Sequence, residues 1–297
     1  MTAAAPARWL VTGAGGMLGR DLVAMLARLG ASVVPVTRRE LDVTDRPAVA
    51  VALRDARPDV VVNCAAWTDV DLAETREAEA LAVNGDGAAH VAAACALVGA
   101  RMIQLSTDYV FDGTARVPYP EDARPAPVSA YGRTKLAGEQ AVQAQLPGSG
   151  SILRTAWLYG GHGGSFVTTM IRLEREQPTV TVVDDQHGQP TSTMVVAERI
   201  IAMVAADAPA GIYHATCSGQ TTWRGLAQEV FRQLGADPGR VRAMPSTALA
   251  RPAPRPAYSV LAHGAWACAG LAPMAEWRGA LRHAFPALVA RQNRSAI

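Results

Sequence analysis

Near the N-terminus a short apolar run, Trp9-Leu10-Val11, leads into Thr12-Gly13-Ala14-Gly15-Gly16-Met17-Leu18-Gly19, after which Leu18, Leu22, Met25, Leu26 and Leu29 recur at helical spacing. Strand, glycine turn and helix therefore follow one another without a break, which few folds accommodate. The pattern continues with a strand at 31–36, a helix at 46–56, a strand at 59–62, a helix at 86–98 and a strand at 102–105. Parallel strands joined by helices need right-handed crossovers, so the expectation is an α/β chain with a Rossmann-type, doubly wound parallel sheet.

A helix at 128–145 and a strand at 151–154 extend the alternation, and it loosens beyond Leu158. A helix at 166–176, a strand at 179–183, a helix at 195–206, a strand at 212–214, a helix at 223–234 and proline-rich loops at 245–256 complete the reading. Residues 1–160 are expected to bind a dinucleotide, with segments near 178–217 partly returning to that unit. Residues 161–297 are expected to form mainly a smaller C-terminal substrate-binding lobe.

The 297 residues are 49% apolar, which suffices for a sizeable core, and 28 basic against 26 acidic residues leave a net charge of +2. With no block of like charges, neither nucleic acid nor an anionic membrane is an expected partner. The apolar runs around 92–100 and 194–206 fall short of the roughly 18 residues of a membrane helix. The N-terminus has no basic stretch followed by an apolar one, so no signal peptide is read and a cytoplasmic location is expected. Cys64, Cys95, Cys217 and Cys268 never form Cys-x-x-Cys, which argues for reduced thiols rather than a metal site. Lys135 is the single lysine among the 28 basic residues. A chain that places arginine wherever a surface cation will serve points to a chemical task for its one ammonium.

Gly13-x-x-Gly16-x-x-Gly19 lies where backbone must approach a pyrophosphate, at a helix N-terminus that favours its charge. Leu18 stands where the Gly-x-Gly-x-x-Gly pattern would have its last glycine. The second strand ends in Thr37-Arg38-Arg39 instead of a carboxylate, and a guanidinium there suits a 2′-phosphate, so NADPH is expected ahead of NADH. Asp42 has two readings, an adenine contact or a loop cap. Tyr131 and Lys135, four apart, share a helix face. An ammonium beside a phenol is expected to lower its pKa and equip it to protonate a carbonyl as hydride arrives. Ser106 or Thr107, at the carboxyl end of the fourth strand, offers a hydroxyl to that carbonyl, or else both only cap the strand.

Taken together, the glycine loop, Thr107-Asp108-Tyr109-Val110-Phe111-Asp112-Gly113 and the helix from Tyr131 to Glu139 resemble the extended short-chain dehydrogenase/reductases, and more narrowly the dTDP-4-dehydrorhamnose reductase family. The similarity runs on through Asn63-Cys64-Ala65-Ala66-Trp67-Thr68, Arg154-Thr155-Ala156-Trp157, Gln186-His187-Gly188-Gln189-Pro190 and Arg255-Pro256-Ala257-Tyr258. The resemblance implies Thr107, Tyr131 and Lys135 as catalytic residues. It also implies an NADP site from Gly13, Gly15, Gly16, Met17, Leu18, Arg38, Asp42, Val43, Asn63, Ala65 and Ala66 together with Tyr131 and Lys135. Thr68, Val70, Asp108, Tyr109, Phe111, Trp157, Gln189 and Arg255 are implied toward a dTDP-4-keto-6-deoxyhexose, whose C4 ketone would be reduced to give dTDP-L-rhamnose.

Two departures stand out. Ala262-His263-Gly264-Ala265 replaces an Asp-Thr-Ser-Lys-like stretch, and Phe285-Pro286-Ala287-Leu288 lacks the carboxylate with which some relatives hold magnesium between subunits. No metal is expected, and the chain is expected to be a monomer or homodimer. Related dehydratases carry an acidic pair after the threonine where Asp108-Tyr109 stands, and epimerases usually lack the 108–113 run. A 4-ketoreductase for another dTDP-4-keto-deoxysugar shares every catalytic residue. A non-catalytic NADPH-binding subunit would be expected to lack Tyr131 or Lys135.

Overall fold

The computed structural model describes residues 7–295. In chain order its strands are β1 (Arg8–Thr12), β2 (Ser32–Val36), β3 (Val60–Asn63), β4 (Arg101–Thr107), β5 (Gly150–Thr155), β6 (Leu158–Tyr159), β7 (Val180–Val183), β8 (His187–Gly188), β9 (Thr191–Ser192), β10 (Gly211–His214), β11 (Thr221–Thr222) and β12 (Val241–Met244). The helices are α1 (Met17–Arg28), α2 (Arg46–Ala56), α3 (Val70–Ala73), α4 (Glu77–Leu81), α5 (Gly87–Val98), α6 (Ala130–Gln145), α7 (Phe166–Glu176), α8 (Thr193–Ala205), α9 (Trp223–Gln233), α10 (Gly264–Cys268) and α11 (Trp277–Ser295).

Six strands form one parallel sheet in the order β10-β5-β4-β3-β1-β2. The chain moves outward from β1 to β2 and then returns to the other side of β1 as β3. The crevice beyond the carboxyl ends of β1 and β3 is the place where such sheets take ligands. On one face, Leu18, Leu22 and Leu26 of α1 pack with Val196, Ile200 and Met203 of α8. On the other, Leu53 of α2, Val91 of α5 and Val142 of α6 cover Val61, Met102 and Ile152. The inner strands β1, β3, β4 and β5 are accordingly near-continuous hydrophobic runs buried on both faces, whereas the edge strand β2 is largely exposed.

A second core joins α7, α9 and α11, with Ile171, Phe231, Leu281 and Leu288 wholly buried. Of the segments between 178 and 217, α8 packs on α1 and β10 pairs with β5, whereas β7 pairs with β12 in the second core.

The helix read at 86–98 extends in the structure back to Glu77 through a π turn at Ala82–Asp86. The extra residue in a π turn rotates the following helix face, so the 3.6 period breaks and the first half escapes a periodicity search. The whole run Glu77–Val98 is long and apolar enough to cross a membrane by length and composition, unlike the shorter run read from sequence. Here it lies between α2 and α6 with Val91, Ala92, Ala94 and Cys95 buried. α11 was not anticipated, because Pro286 interrupts it and proline is a strong helix-breaking signal. Trp277, Leu281, Phe285 and Leu288 nevertheless give it a helical apolar stripe.

Candidate active site

β1 delivers the chain into Gly13, whose φ of +60° is open to glycine at little cost; a Cβ there would lie 2.6 Å from the Ala65 nitrogen. The glycine loop therefore rests directly on the backbone that follows β3. Gly16 caps α1 without a side chain, which leaves the first-turn N–H groups facing outward, and Gly15 and Gly16 are exposed. This is the cradle a pyrophosphate needs. Arg38 stands at the end of β2 with its side chain 85% exposed and only 3.8 Å from Asp42.

Several residues expected at the cofactor have other engagements. The Leu18 side chain is buried in the core under the sheet, so only its backbone belongs to the loop. Asp42 accepts hydrogen bonds from the Thr44 amide and hydroxyl, which hold its carboxyl below the ordinary range. The Val43 side chain is core. Asn63 is 1% exposed, donating to Gln104 and accepting from the Thr12 hydroxyl. Its amide thus stitches β1, β3 and β4 together at the crevice floor. Ala65 and Ala66 are half-buried, and Met17 abuts Gly160 and Gly163.

α6 begins where the Ser129 hydroxyl accepts from the Gly132 amide at 3.1 Å. A Cβ on Gly132 would lie 2.2 Å from the Tyr109 carbonyl oxygen, so glycine at this position lets the helix close on the turn after β4. That approach brings Tyr131 to the side of the turn that carries Thr107, where the Thr107 hydroxyl pulls on the phenol's pKa, and Tyr109 packs edge-on against Tyr131 at 5.6 Å between ring centres. Thr107 also donates to Asp108 at 3.0 Å. Lys135 is 3% exposed and donates to the Leu105 carbonyl at 2.6 Å. The Ser106 hydroxyl donates to Glu139.

The expected lowering of the tyrosine's pKa is not found. Burial pushes Tyr131 up to about 12, with Thr107 pulling it down and Asp108 pushing it further up. The ammonium that was to lower it is turned to the Leu105 carbonyl and is itself pushed down to about 8 by burial. Burial likewise pushes Asp108 up to about 6, and its Oδ2 has no hydrogen-bond partner.

Beside Tyr109 opens a cavity of about 570 Å³. Phe166, Met170 and Trp223 give it an apolar wall, while Arg251 and Arg255 supply cations. Among the expected substrate residues, Tyr109 and Arg255 line this space. Arg255 is held by Asp71 at 2.9 Å and sits over the Tyr109 ring. Trp157 lies behind the wall, stacked on Trp223 at 3.5 Å with a φ of +48°, so Trp223 presents the aromatic face to the cavity. Phe111 does not reach the cavity: it is buried, stacked on Tyr119 and covered by Arg154. Gln189 is also inside, bonded to Leu261 and Thr216. Thr68 is exposed and Val70 opens α3, both outside the lining. Sequence reasoning passed over Trp223, Arg251 and Asn84. The repeat Arg251-x-x-x-Arg255 was a signal for the second, whereas Asn84, which ties Trp67 to Thr134, is visible only in three dimensions.

The departing stretch 262–265 is anchored in place by polar contacts. The Ala262 carbonyl is 2.9 Å from His214 Nδ1, His263 is 2.9 Å from the Thr216 hydroxyl, and the Ala265 amide donates to Glu121. Burial pushes His214 down to about 3 and His263 to about 4. Both imidazoles stay neutral in the fold where the unfolded chain would protonate them near the ordinary 6.5. Unfolding therefore takes up protons between about pH 6.5 and 4, and stability falls as pH drops through that window. The raised Asp108 works in the opposite sense between its ordinary value and about 6, one carboxyl against two imidazoles. The melting temperature is expected to fall on acidification below pH 6.5, and His263→Asn to flatten that fall; an unchanged slope in the variant would remove His263 as a cause.

Comparison with known proteins gives a consistent answer. Residues 7–289 match the family model described as RmlD substrate binding domain. A dTDP-4-dehydrorhamnose reductase of Streptomyces griseus is 58% identical over 97% of this chain and 96% of its own length. A dTDP-4-keto-6-deoxy-D-glucose reductase of Streptomyces niveus is 54% identical over 96% and 99%. Among solved structures, dTDP-4-dehydrorhamnose reductase from Bacillus anthracis in complex with NADP superposes with a TM-score of 0.91 at 35% identity, covering 95% of this chain and 99% of that one.

Proposed function

Since the chain belongs to the RmlD substrate-binding-domain family of dTDP-4-dehydrorhamnose reductases, we propose that it is an NADPH-dependent reductase of the C4 ketone of dTDP-4-dehydro-6-deoxy-L-mannose, giving dTDP-L-rhamnose. The observation that carries this reading is the meeting of Thr107, Tyr131 and Lys135 at the ends of β4 and α6, with Tyr109 leading from them into a cavity that has one aromatic wall and two arginines. Such a cavity suits a nucleotide sugar: guanidinium groups for the diphosphate and flat apolar rings for base or deoxyhexose.

The glycine loop and the bare N-terminus of α1 fit a pyrophosphate, and exposed Arg38 fits a 2′-phosphate. NADPH, once bound, supplies the hydride. Tyr131 donates its phenolic proton to the C4 oxygen, and Thr107 hydrogen-bonds the same oxygen and orients it. The Lys135 ammonium, which meets the Leu105 carbonyl, would hold the nicotinamide ribose. In this reading the lobe formed mainly by residues 161–297 covers the sugar nucleotide and keeps water from the reacting carbon.

A 4-ketoreductase for another dTDP-4-keto-deoxysugar is the second reading, favoured by the 54% identity to the Streptomyces niveus reductase. NADPH oxidation with dTDP-4-dehydro-L-rhamnose, generated in situ, followed by NMR of the product decides between them. Turnover to dTDP-L-rhamnose is expected; NADPH binding without turnover would move the assignment to the second reading. Arg38→Ala is expected to weaken NADPH more than NADH, as loss of one charge-assisted phosphate contact requires. Equal losses in fluorescence titrations would take Arg38 out of the 2′-phosphate site.

A further inference from the structure

Two consecutive residues at the end of β4 are bonded to α6, just before Thr107. The Leu105 carbonyl accepts from Lys135, and the Ser106 hydroxyl donates to Glu139 at 2.5 Å. Glu139 is four residues beyond Lys135, which puts the carboxylate and ammonium on one face of the helix, about 5–6 Å apart at Cβ. Both are nearly sealed from solvent, at 1% and 3% exposure. Behind Glu139, Arg154 of β5 donates from Nε and Nη2 at 3.0 and 2.7 Å, and Arg154 in turn lies over Phe111 and reaches the Glu121 carbonyl.

We propose that Glu139, locked between Ser106 and Arg154, is a positioning residue that keeps the Lys135 ammonium charged and holds the catalytic helix in register with the strand that carries Thr107. It rests on the reading of Tyr131 and Lys135 as the reacting pair. The groups that face Lys135 are few. Glu139 on its own helix favours the charged form, the half-buried Cys64 thiol after β3 lies close by, and β4 offers the Leu105 carbonyl. Burial works against the charge and brings the lysine down to about 8, close to the pH at which a reductase must work. Without Glu139 that balance tips toward the neutral amine. Arg154 acts only through Glu139: its guanidinium is engaged with the carboxylate and reaches neither Lys135 nor Tyr131 by a hydrogen bond.

Because Lys135 is the single lysine, protein labelled with 13Cε-lysine gives one side-chain resonance, and its titration reads this group alone with no substrate present. The decisive variant is the pair Glu139→Gln with Arg154→Met, which removes both buried charges while keeping their volumes, so the fold is retained. Its Lys135 resonance is expected to titrate about one unit lower than in the wild type, a tenfold smaller ratio of charged to neutral amine at a given pH. The alkaline limb of kcat should move by the same amount, with NADPH affinity measured at pH 6.5 unchanged. Glu139→Asp should return the titration toward the wild-type value. A Lys135 resonance that titrates at the wild-type pH in the double variant overturns the proposal. The resonance can be read whether or not the keto-sugar is turned over, so failure of the proposed reaction and failure of this inference are separate results.

Discussion

Tyr131→Phe is expected to lower kcat by about 10²–10⁴-fold, the usual contribution of a positioned general acid, with little loss of NADPH affinity. The substitution removes one oxygen and keeps the ring, so the edge-on contact with Tyr109 and the start of α6 at Ser129 survive. What it removes is the proton for the carbonyl oxygen. In the chain without ligand the phenol is held well protonated, pushed up to about 12 by burial, which suits a donor during ketone reduction. Steady-state rates with the keto-sugar nucleotide and a fluorescence titration with NADPH separate the two effects. Near-normal turnover would show that another group supplies the proton, and Asp108, buried beside Thr107, would be the next residue to test.

The second large effect concerns stability. Arg154→Met is expected to lose about 3–5 kcal/mol, the cost of leaving a buried carboxylate without its partner. Arg154 is 0% exposed and Glu139 1% exposed, and methionine can preserve the packing on Phe111 but none of the hydrogen bonds. Adding Glu139→Gln should recover most of the loss, because a buried pair replaced by neutral groups of similar volume is often near neutral in stability. Urea denaturation of the wild type, the single variant and the double variant tests this. A loss below about 1 kcal/mol in the single variant would match a solvated surface pair and would mean that water reaches Glu139.

Much of the molecule was legible before any coordinates. The glycine loop between an apolar run and an apolar helix face located β1, α1 and the phosphate cradle, because that order is a local property of the chain. The period of the apolar residues placed β2 to β5, α2 and α6 within one or two residues and the helix at Phe166–Glu176 to the residue, while α3 and α4 went unread. The solitary lysine and its tyrosine four residues earlier drew attention to the helix that meets Thr107.

Other features needed the fold. Asn63 and Gln189 look like ligand-binding amides in a linear reading, yet their partners, Gln104 and Thr12 for one and Leu261 and Thr216 for the other, lie on distant segments that only the sheet and its covering loops bring together. Phe111 and Trp157 carry the same chemistry as Tyr109 and Trp223, and which ring faces the cavity is decided by stacking: Trp157 lies behind Trp223, while Phe111 is covered by Arg154. The π turn before α5 and the proline within α11 hid their helices, since both break the local signal while tertiary packing sustains the structure. By itself the sequence determined the parallel sheet, the glycine turn between β1 and α1 and the shared helix face of Tyr131 and Lys135, because backbone turns, apolar period and helix spacing are set by near neighbours. Only the tertiary structure decided which groups line the cavity and which are engaged with partners inside the protein, and in which direction each buried ionisable group departs from its ordinary pKa. Those properties depend on burial and on partners remote in the chain.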